Sequence, residues 1–263
     1  MIMPADITGN GRPIVLVPGG LTGWISWGPY AQVLSEKRKV IRVQILSVMW
    51  GLENQPLPDN YSMRTESEAL GATLDSLGFT EPVDVVGWSF GGFVSLLFAL
   101  DHPERIRTLT LIEPPAYWVL RSNGKYDEMT QQEVDFFMAM EGDITEDMLE
   151  GFFLHGGFID PGQSARDLPQ WKNWLPMRQS LRNSRAVVQY SDDLSRLKNL
   201  TVPTLLVKGT GSAPRLHQII EVLADHIPHS HLVEFPGRHA PHIVSMNDFM
   251  EELERFQHDP EIQ

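Results

Sequence analysis

The sequence is 263 residues long, 42% hydrophobic and 21% charged, and carries a formal net charge of −13 at pH 7. A chain of this length suits one large domain with a substantial core, and its acidity, without a basic run, argues against nucleic acid and anionic membranes as partners. The absence of cysteine excludes disulfides, thiolate nucleophiles and cysteine-ligated metals.

The N-terminal residues 1–11 contain no basic region followed by a long apolar run. We therefore expect no signal peptide, no membrane span and a cytoplasmic protein. The first apolar run, residues 13–17, is short and rich in β-branched residues, which predicts a buried strand. The glycine-rich residues 18–23 end that strand and are typical of a turn that brings backbone close to a bound group.

Strand and helix patterns then alternate along the chain. Residues 30–34 predict a helix, 39–45 a strand, 50–60 a polar loop, and 61–77 an amphipathic helix with Ser62 as its N-cap. A strand at 83–88, an apolar helix and a strand at 108–112 follow. This alternation predicts a mostly parallel α/β sheet.

No buried-strand pattern occurs from residue 116 to about 196. Aromatic-rich helical patterns occur there instead, at 133–140, 148–154 and 169–190. Strands at 202–207 and 231–235, with helices at 215–224 and 248–256, complete the pattern. The sequence therefore predicts a core domain of residues 1–115 and 197–263 and an inserted helical cap of residues 116–196.

Ser89 lies between the predicted strand 83–88 and the following helix, in Gly87-Trp88-Ser89-Phe90-Gly91. A serine flanked by glycines at a strand-to-helix turn is typical of a nucleophile elbow, in which the hydroxyl stands above the sheet edge. The alternative is a tight turn whose serine only caps the helix.

A serine nucleophile needs a histidine base and a carboxylate that orients it. His239 is the predicted base, because it follows the last strand in a Pro-Gly-x-His loop, and His242 is the alternative. His226, His229 and His231 lack a metal-ligand spacing, and we expect them at the surface without a metal. We expect no cofactor.

The loop after the strand at 202–207 contains no carboxylate. Glu113 does stand at the end of the strand at 108–112, before two prolines. Because parallel sheets gather catalytic groups at their carboxyl ends, Glu113 is the predicted acid, with loop capping as the alternative.

The oxyanion hole is predicted from the backbone N–H groups of Phe90, which follows the nucleophile, and of Gly20 in the first glycine loop, with Leu21 next. Large aromatic side chains are expected to line an apolar substrate pocket under the cap. The candidates are Trp88, Trp118, Trp171 and Trp174.

With these residues, the chain resembles the α/β-hydrolase superfamily over nearly its whole length and, within it, the zearalenone lactonases, which open a macrocyclic resorcylic lactone. The similar segments are 15–21, Glu113 before proline, the carboxylate-free loop 207–214 and the histidine loop 236–241. The resemblance implies an α/β-hydrolase fold, Gly20 as the oxyanion glycine, and Trp171, in Leu168-Pro169-Gln170-Trp171, as a lactone contact.

The chain departs from those lactonases at three places. Phe90 replaces a second serine after the nucleophile, and residues 44–54 lack the usual loop after the fourth strand. Residues 1–12 leave room for at most one short strand, where that family has an antiparallel pair. The resulting sheet edge is one that a second subunit would cover, which predicts a homodimer.

These observations predict a serine hydrolase that cleaves a small-molecule ester, above all a lactone. A general carboxylesterase, a C–C bond hydrolase, a cofactor-free oxygenase and a slow-turnover ligand-binding receptor on the same fold are the alternatives. Epoxide hydrolysis and dehalogenation are disfavoured, because those relatives need a carboxylate at the position of Ser89.

Overall fold

A seven-stranded sheet forms the centre of the protein in a computed structural model that describes residues 1–259. The strand order is β1-β3-β2-β4-β5-β6-β7; β1 is antiparallel to β3, and every other neighbouring pair is parallel. The strands are β1 (Ala5–Thr8), β2 (Pro13–Val17), β3 (Lys39–Val43), β4 (Val83–Trp88), β5 (Ile106–Ile112), β6 (Thr204–Gly209) and β7 (Ser230–Phe235).

Helices cover both faces of this sheet, as the alternating pattern predicted. They are α1 (Gly28–Leu34), α2 (Leu46–Leu52), α3 (Met63–Ser76), α4 (Phe90–Asp101), α5 (Tyr117–Ser122), α6 (Glu128–Met138), α7 (Glu146–His155), α8 (Trp171–Trp174), α9 (Ser184–Gln189), α10 (Ser195–Lys198), α11 (Pro214–His226), α12 (Pro241–Val244) and α13 (Met246–His258). Short 3₁₀ segments include Gly23–Trp27 and Leu175–Asn183. None of the helices in residues 1–259 has the length and apolar character that crossing a bilayer requires.

The core lies on both faces because successive side chains of a strand point to opposite sides. In β2, Val15 and Val17 belong to the apolar cluster beneath α3, α4 and α11, whereas Ile14 and Leu16 belong to the cluster beneath α1 and α13. Burial of both faces explains why the strands appear in the sequence as continuous apolar runs.

A single short strand, β1, precedes β2, which agrees with the limited room ahead of Pro13. It pairs through Ala5–Thr8 with β3 and leaves its other side at the sheet edge. Coverage of that edge by a second subunit stays a prediction.

The sequence misplaced several boundaries, including those of β6 (predicted at 202–207, found at Thr204–Gly209) and α6 (predicted at 133–140, found at Glu128–Met138). The boundary after β3 has an identifiable cause. The predicted strand at 39–45 ends at Val43, and α2 occupies Leu46–Leu52, where a loop was expected from residue 50. The buried carboxylate of Glu66 on α3 accepts hydrogen bonds from the backbone N–H groups of Leu46 (3.0 Å) and Ser47 (2.8 Å). These are first-turn donors that an isolated helix leaves unpaired, so a residue remote in sequence fixes where α2 begins.

Between β5 and β6 the structure contains only helices and connecting turns, as predicted for residues 116–196. The side chains of Phe137 and Leu149 from this insertion are buried in the same apolar cluster as those of α4 and α11. The insertion therefore packs directly on the sheet's helical layer, at the carboxyl ends of β4 and β5. Its division from the core as a separate domain stays a prediction, and residues 260–263 of the predicted core lie outside the described residues.

Candidate active site

Ser89 occupies the turn between β4 and α4 with a backbone φ of 52° and ψ of −122°. This conformation is rare for a residue with a side chain and costs free energy that the surrounding structure must supply. A Cβ at Gly91 would overlap the carbonyl oxygens of Val17 and Pro18, and one at Gly87 would stand 2.5 Å from the Gly91 carbonyl oxygen. Gly91 therefore allows the serine turn to approach the end of β2, and Gly87 allows the first turn of α4 to approach β4.

The His239 ring bridges Ser89 and Glu113. Its Nε2 atom lies 2.7 Å from Ser89 Oγ, and its Nδ1 atom lies 2.9 Å from Glu113 Oε2. With the Nδ1 proton donated to the carboxylate, Nε2 is free to accept the serine proton. The Trp88 indole N–H donates to the His239 carbonyl oxygen at 2.7 Å and holds the loop in place.

Glu113 is fully buried at the end of β5 and has a positive φ of 43°. Its second carboxylate oxygen, Oε1, accepts a 2.7 Å hydrogen bond from the backbone N–H of Gly209. Gly209 ends β6, so the loop that lacks a carboxylate supplies a donor to Glu113 instead. This contact fixes one oxygen and leaves the other for the histidine.

His242, the alternative base, does not contact Ser89 among the hydrogen bonds of the described residues. Its side chain is fully buried, with its ring centroid 4.9 Å from that of Trp88. Burial, together with the nearby His239, lowers the pKa of His242 to about 3, because the charged form loses its hydration. Its position makes it a packing residue beneath the elbow, which corrects the alternative assignment.

Gly20 and Phe90, the predicted oxyanion residues, both line a cavity at Ser89. Phe90 is the first residue of α4, so its N–H has no partner within the helix and lies at the positive end of the helix dipole. A Cβ on Gly20 would stand 3.1 Å from Asn183 Nδ2 and 3.3 Å from Phe90 Cβ. The three residues are therefore close neighbours, and Asn183 is one that the sequence reasoning missed.

Two cavities meet at Ser89. The first, which we call the Arg215 cavity, has a volume of about 60 Å³ and is lined by Tyr117, Phe137, Asn183 and Arg215 in addition to Ser89 and His239. The second, the Trp174 cavity, has a volume of about 340 Å³ and an apolar lining that includes Leu21, Ile25, Trp88, Trp174 and Ile243. Gly20, Ser89, Phe152 and Phe158 line both. Ile25 and Ile243 are at least half exposed, so the Trp174 cavity reaches solvent at these two residues.

The structure separates the predicted substrate contacts. Leu21, Trp88 and Trp174 line the Trp174 cavity. Trp118 is fully buried, with its ring 6.4 Å from that of Tyr190, so this residue is part of the core and the expectation that it meets substrate is corrected. Trp171 lies beneath the Arg166 guanidinium, 5.8 Å away, and lines neither cavity at Ser89 as the described residues define them; its lactone contact stays a prediction.

Several further cavity residues went unnoticed in the sequence, among them Phe152, Phe158, Asn183 and Arg215. The two phenylalanines belong to the aromatic-rich insertion, which was the only sequence signal for them. Across residues 1–259, no cluster of three or more histidine and carboxylate side chains is arranged to hold a metal ion.

Comparison with known proteins identifies the family of this fold. A family model described as "alpha/beta hydrolase fold" matches residues 12–245. A 2-hydroxy-6-oxo-2,4-heptadienoate hydrolase from Pseudomonas putida is 37% identical over 107 residues, which are 40% of this chain and 38% of that protein. A pimeloyl-[acyl-carrier protein] methyl ester esterase from Aeromonas hydrophila is 26% identical over 265 residues, 97% of this chain and 99% of that protein. The first of these matches thus spans well under half of the relative's length.

Solved structures show the same fold at lower identity. An esterase from Exiguobacterium antarcticum has a TM-score of 0.78 at 21% identity, with 97% of this chain and 95% of that chain covered. An enol-lactonase from Burkholderia xenovorans has a TM-score of 0.69 at 19% identity, with 98% and 96% covered.

Proposed function

The chain belongs to the α/β-hydrolase fold family, and from that premise we propose that it is a serine hydrolase that cleaves a carboxylic ester through an acyl-enzyme. The observation that carries the proposal is the continuous hydrogen-bonded path from Ser89 through His239 to Glu113, with contacts of 2.7 and 2.9 Å. A serine that only capped a helix would not need a buried histidine and carboxylate aligned behind it.

In the first step His239 Nε2 takes the Ser89 proton as Oγ attacks the substrate carbonyl carbon. The carbonyl oxygen becomes an oxyanion, which the N–H groups of Gly20 and Phe90 stabilise. Glu113 stabilises the imidazolium that forms. When the C–O bond to the leaving group breaks, the imidazolium returns its proton to the departing alkoxide, and an ester on Ser89 remains.

In the second step a water attacks that ester with His239 again as the base. The second tetrahedral intermediate collapses, the proton returns to Ser89 Oγ, and a carboxylic acid leaves. Both steps use the same two oxyanion donors, so no other group of the chain has to move into place.

Within this proposal, the two cavities that meet at Ser89 receive the acyl and alcohol portions of the substrate. A lactone keeps both product ends on one molecule, and the apolar lining of the larger Trp174 cavity suits such a substrate. Leu21, Trp88 and Trp174 support a macrolactone of the zearalenone type as the finer hypothesis. Residues 116–196, which contribute Phe152 and Phe158 to both cavities, would act as the cap.

C–C bond hydrolysis is the second candidate, because the P. putida relative is named for a 2-hydroxy-6-oxo-2,4-heptadienoate substrate. The same serine, histidine and acid would serve that reaction on a ketone. Hydrolysis of that dienoate at a rate above that of simple esters would favour this candidate.

The test of the nucleophile is intact-mass spectrometry after treatment with a fluorophosphonate. We expect one adduct, mapped to Ser89 and absent from Ser89→Ala. Labelling elsewhere, or no labelling of a folded protein, would remove the serine hydrolase assignment.

The test of the acid is Glu113→Gln, compared with Glu221→Gln on the exposed face of α11. A neutral amide in place of the Glu113 carboxylate could not stabilise the imidazolium, and aryl ester hydrolysis should fall by about 10³–10⁴-fold, as for the corresponding change in serine proteases. The Glu221 variant should keep wild-type turnover. A panel of aryl esters, small lactones and resorcylic macrolactones then separates esterase from lactonase.

A further inference from the structure

Arg215 is a buried cation in the wall of the Arg215 cavity. It lies in the first turn of α11, its side chain is only 4% exposed, and it shares the cavity with Ser89 and His239. Most of the surrounding wall is apolar, including Phe137, Phe152 and Phe158. A guanidinium in such surroundings interacts with an anion much more strongly than one in water does.

Some of the donors of Arg215 are already used. Nε lies 2.9 Å from the Tyr117 hydroxyl oxygen and 2.6 Å from Glu133 Oε2, Nη1 donates to Glu133 Oε1 at 2.6 Å, and Nη2 donates to the His155 carbonyl oxygen. A guanidinium has five N–H groups in a planar fork, so one N–H on each terminal nitrogen stays free of these contacts. A carboxylate is an acceptor that such charged donors bind more strongly than they bind a neutral acceptor.

Tyr117 adds a third donor in the same cavity. Its hydroxyl oxygen accepts the Arg215 Nε–H, so its own proton is free to be donated. Burial raises the pKa of Tyr117 to about 12, so the hydroxyl keeps this proton at neutral pH.

Glu133 balances the charge of Arg215 and is half-buried. Burial raises the pKa of Glu133 to about 7, against the lowering effect of Arg215 and with Asp127 adding to the rise. The other titratable groups beside the pair are Tyr117 on α5 and His155 on α7. Burial and the charge of Arg215 lower the pKa of His155. A second carboxylate beside Arg215 would favour protonation of Glu133, because two anions would otherwise share one cation.

We propose that Arg215 and Tyr117 form a subsite for a carboxylate on the substrate, so that the enzyme acts on carboxylate-bearing esters rather than on wholly neutral ones. This inference rests on the proposed ester hydrolysis and specifies its substrate class. The alternative is a purely structural role, in which Arg215 only connects α6 and α7 of the insertion to α11.

The test compares esters matched in length. In one pair the carboxylate ends the acyl chain, mono-4-nitrophenyl glutarate against 4-nitrophenyl pentanoate. In the other it lies on the leaving group, 4-carboxyphenyl pentanoate against phenyl pentanoate. We expect a higher kcat/KM for the carboxylate member of at least one pair, whichever places the charge in the Arg215 cavity.

Arg215→Met should lower that carboxylate-to-neutral ratio by about 10–100-fold, the range for losing a charge-assisted contact. Glu133→Gln keeps an acceptor for Arg215 and removes the competing charge, so it should raise the ratio. The Glu133→Gln variant retains an acceptor for Arg215 and thus the contact between α11 and the insertion. It therefore tests the inference even if Arg215→Met fails to fold.

A carboxylate-to-neutral ratio at or below one in both wild-type pairs would overturn the inference, and so would a ratio that Glu133→Gln does not change. Ser89-dependent turnover of neutral esters would still support the proposed function in either case. If no ester is turned over, calorimetry on Ser89→Ala decides: monomethyl glutarate should bind more tightly than methyl pentanoate, and equal or weaker binding would overturn the subsite.

Discussion

His242 gives the chain a defined sensitivity to acid. The ring is fully buried among the aromatic side chains of Trp27, Tyr30, Trp88 and Phe249, and its pKa is lowered to about 3. In the unfolded chain a histidine titrates near its ordinary value of about 6.5. Below pH 6.5 His242 therefore binds a proton in the unfolded state but not in the folded state. Because this favours the unfolded state, the free energy of unfolding falls as the pH falls toward 3.

The size of this effect follows from the gap between the two pKa values. Each pH unit between them is worth about 1.4 kcal/mol, so lowering the pH from 8 to 5 costs about 2 kcal/mol through His242 alone. Other groups titrate in the same range, and for that reason the informative quantity is the difference between wild type and a variant that lacks this ring.

His242→Leu removes the titrating group and keeps an apolar side chain of similar size. Urea denaturation at pH 8 and pH 5 should show that the variant loses about 2 kcal/mol less than wild type over this interval. At pH 8 the lost ring contacts with Trp88 should cost on the order of 1 kcal/mol. The exposed His229, changed to Leu in parallel, controls for the loss of a histidine, and an equal pH dependence in wild type and His242→Leu would refute the argument.

Three further outcomes follow from the packing. Gly91→Ala should lower the free energy of unfolding by about 1–3 kcal/mol and kcat by roughly 10²-fold, because the new Cβ would overlap the Val17 and Pro18 carbonyl oxygens. Gly28→Ala is the control: its Cβ would meet nothing nearer than 3.7 Å, so neither quantity should change. Asp84→Asn breaks the buried ion pairs with Arg38 and Arg107 and should lower the free energy of unfolding by about 3 kcal/mol in chemical denaturation. Asp6→Asn, which breaks the partly exposed pair with Arg42, should lower it by less than about 1 kcal/mol. Trp174→Ala should change KM for bulky esters, whereas Trp118→Phe in the core should change the thermal midpoint and leave KM as it is.

The nucleophile turn was predictable because its signals are local. The apolar strand, the two glycines around Ser89 and the apolar helix are contiguous, and each has a steric reason to be where it is. The alternation of strands and helices along the chain and the insertion after β5 followed from patterning alone, whereas the order of the strands within the sheet was not predicted. Glu113 followed from a comparison of two strand ends, since only one of them carries a carboxylate.

The start of α2 and the wall of the Arg215 cavity were beyond such reasoning. Glu66 pairs with N–H groups 19 and 20 residues away, and no local pattern marks that contact. Arg215 is, in sequence, an arginine in the first turn of an amphipathic helix, a position that usually faces water. It is buried because α6 and α7 of the insertion supply Glu133 and a carbonyl oxygen to it, a meeting that depends on how the insertion folds over the sheet.

Trp88 connects the nucleophile to the rest of the site more directly than the sequence indicated. Its N–H holds the His239 carbonyl oxygen, one side of its ring packs on His242, and a Cβ on Gly19 would stand 3.1 Å from the ring. The residue beside the serine thus positions the base, rests on the buried histidine and lines the Trp174 cavity. A large side chain here fixes the distance between the elbow and the histidine loop, while Arg215 lies in the other cavity. Trp88 therefore couples the position of the base to the wall of the Trp174 cavity, whereas the carboxylate subsite proposed at Arg215 does not involve Trp88.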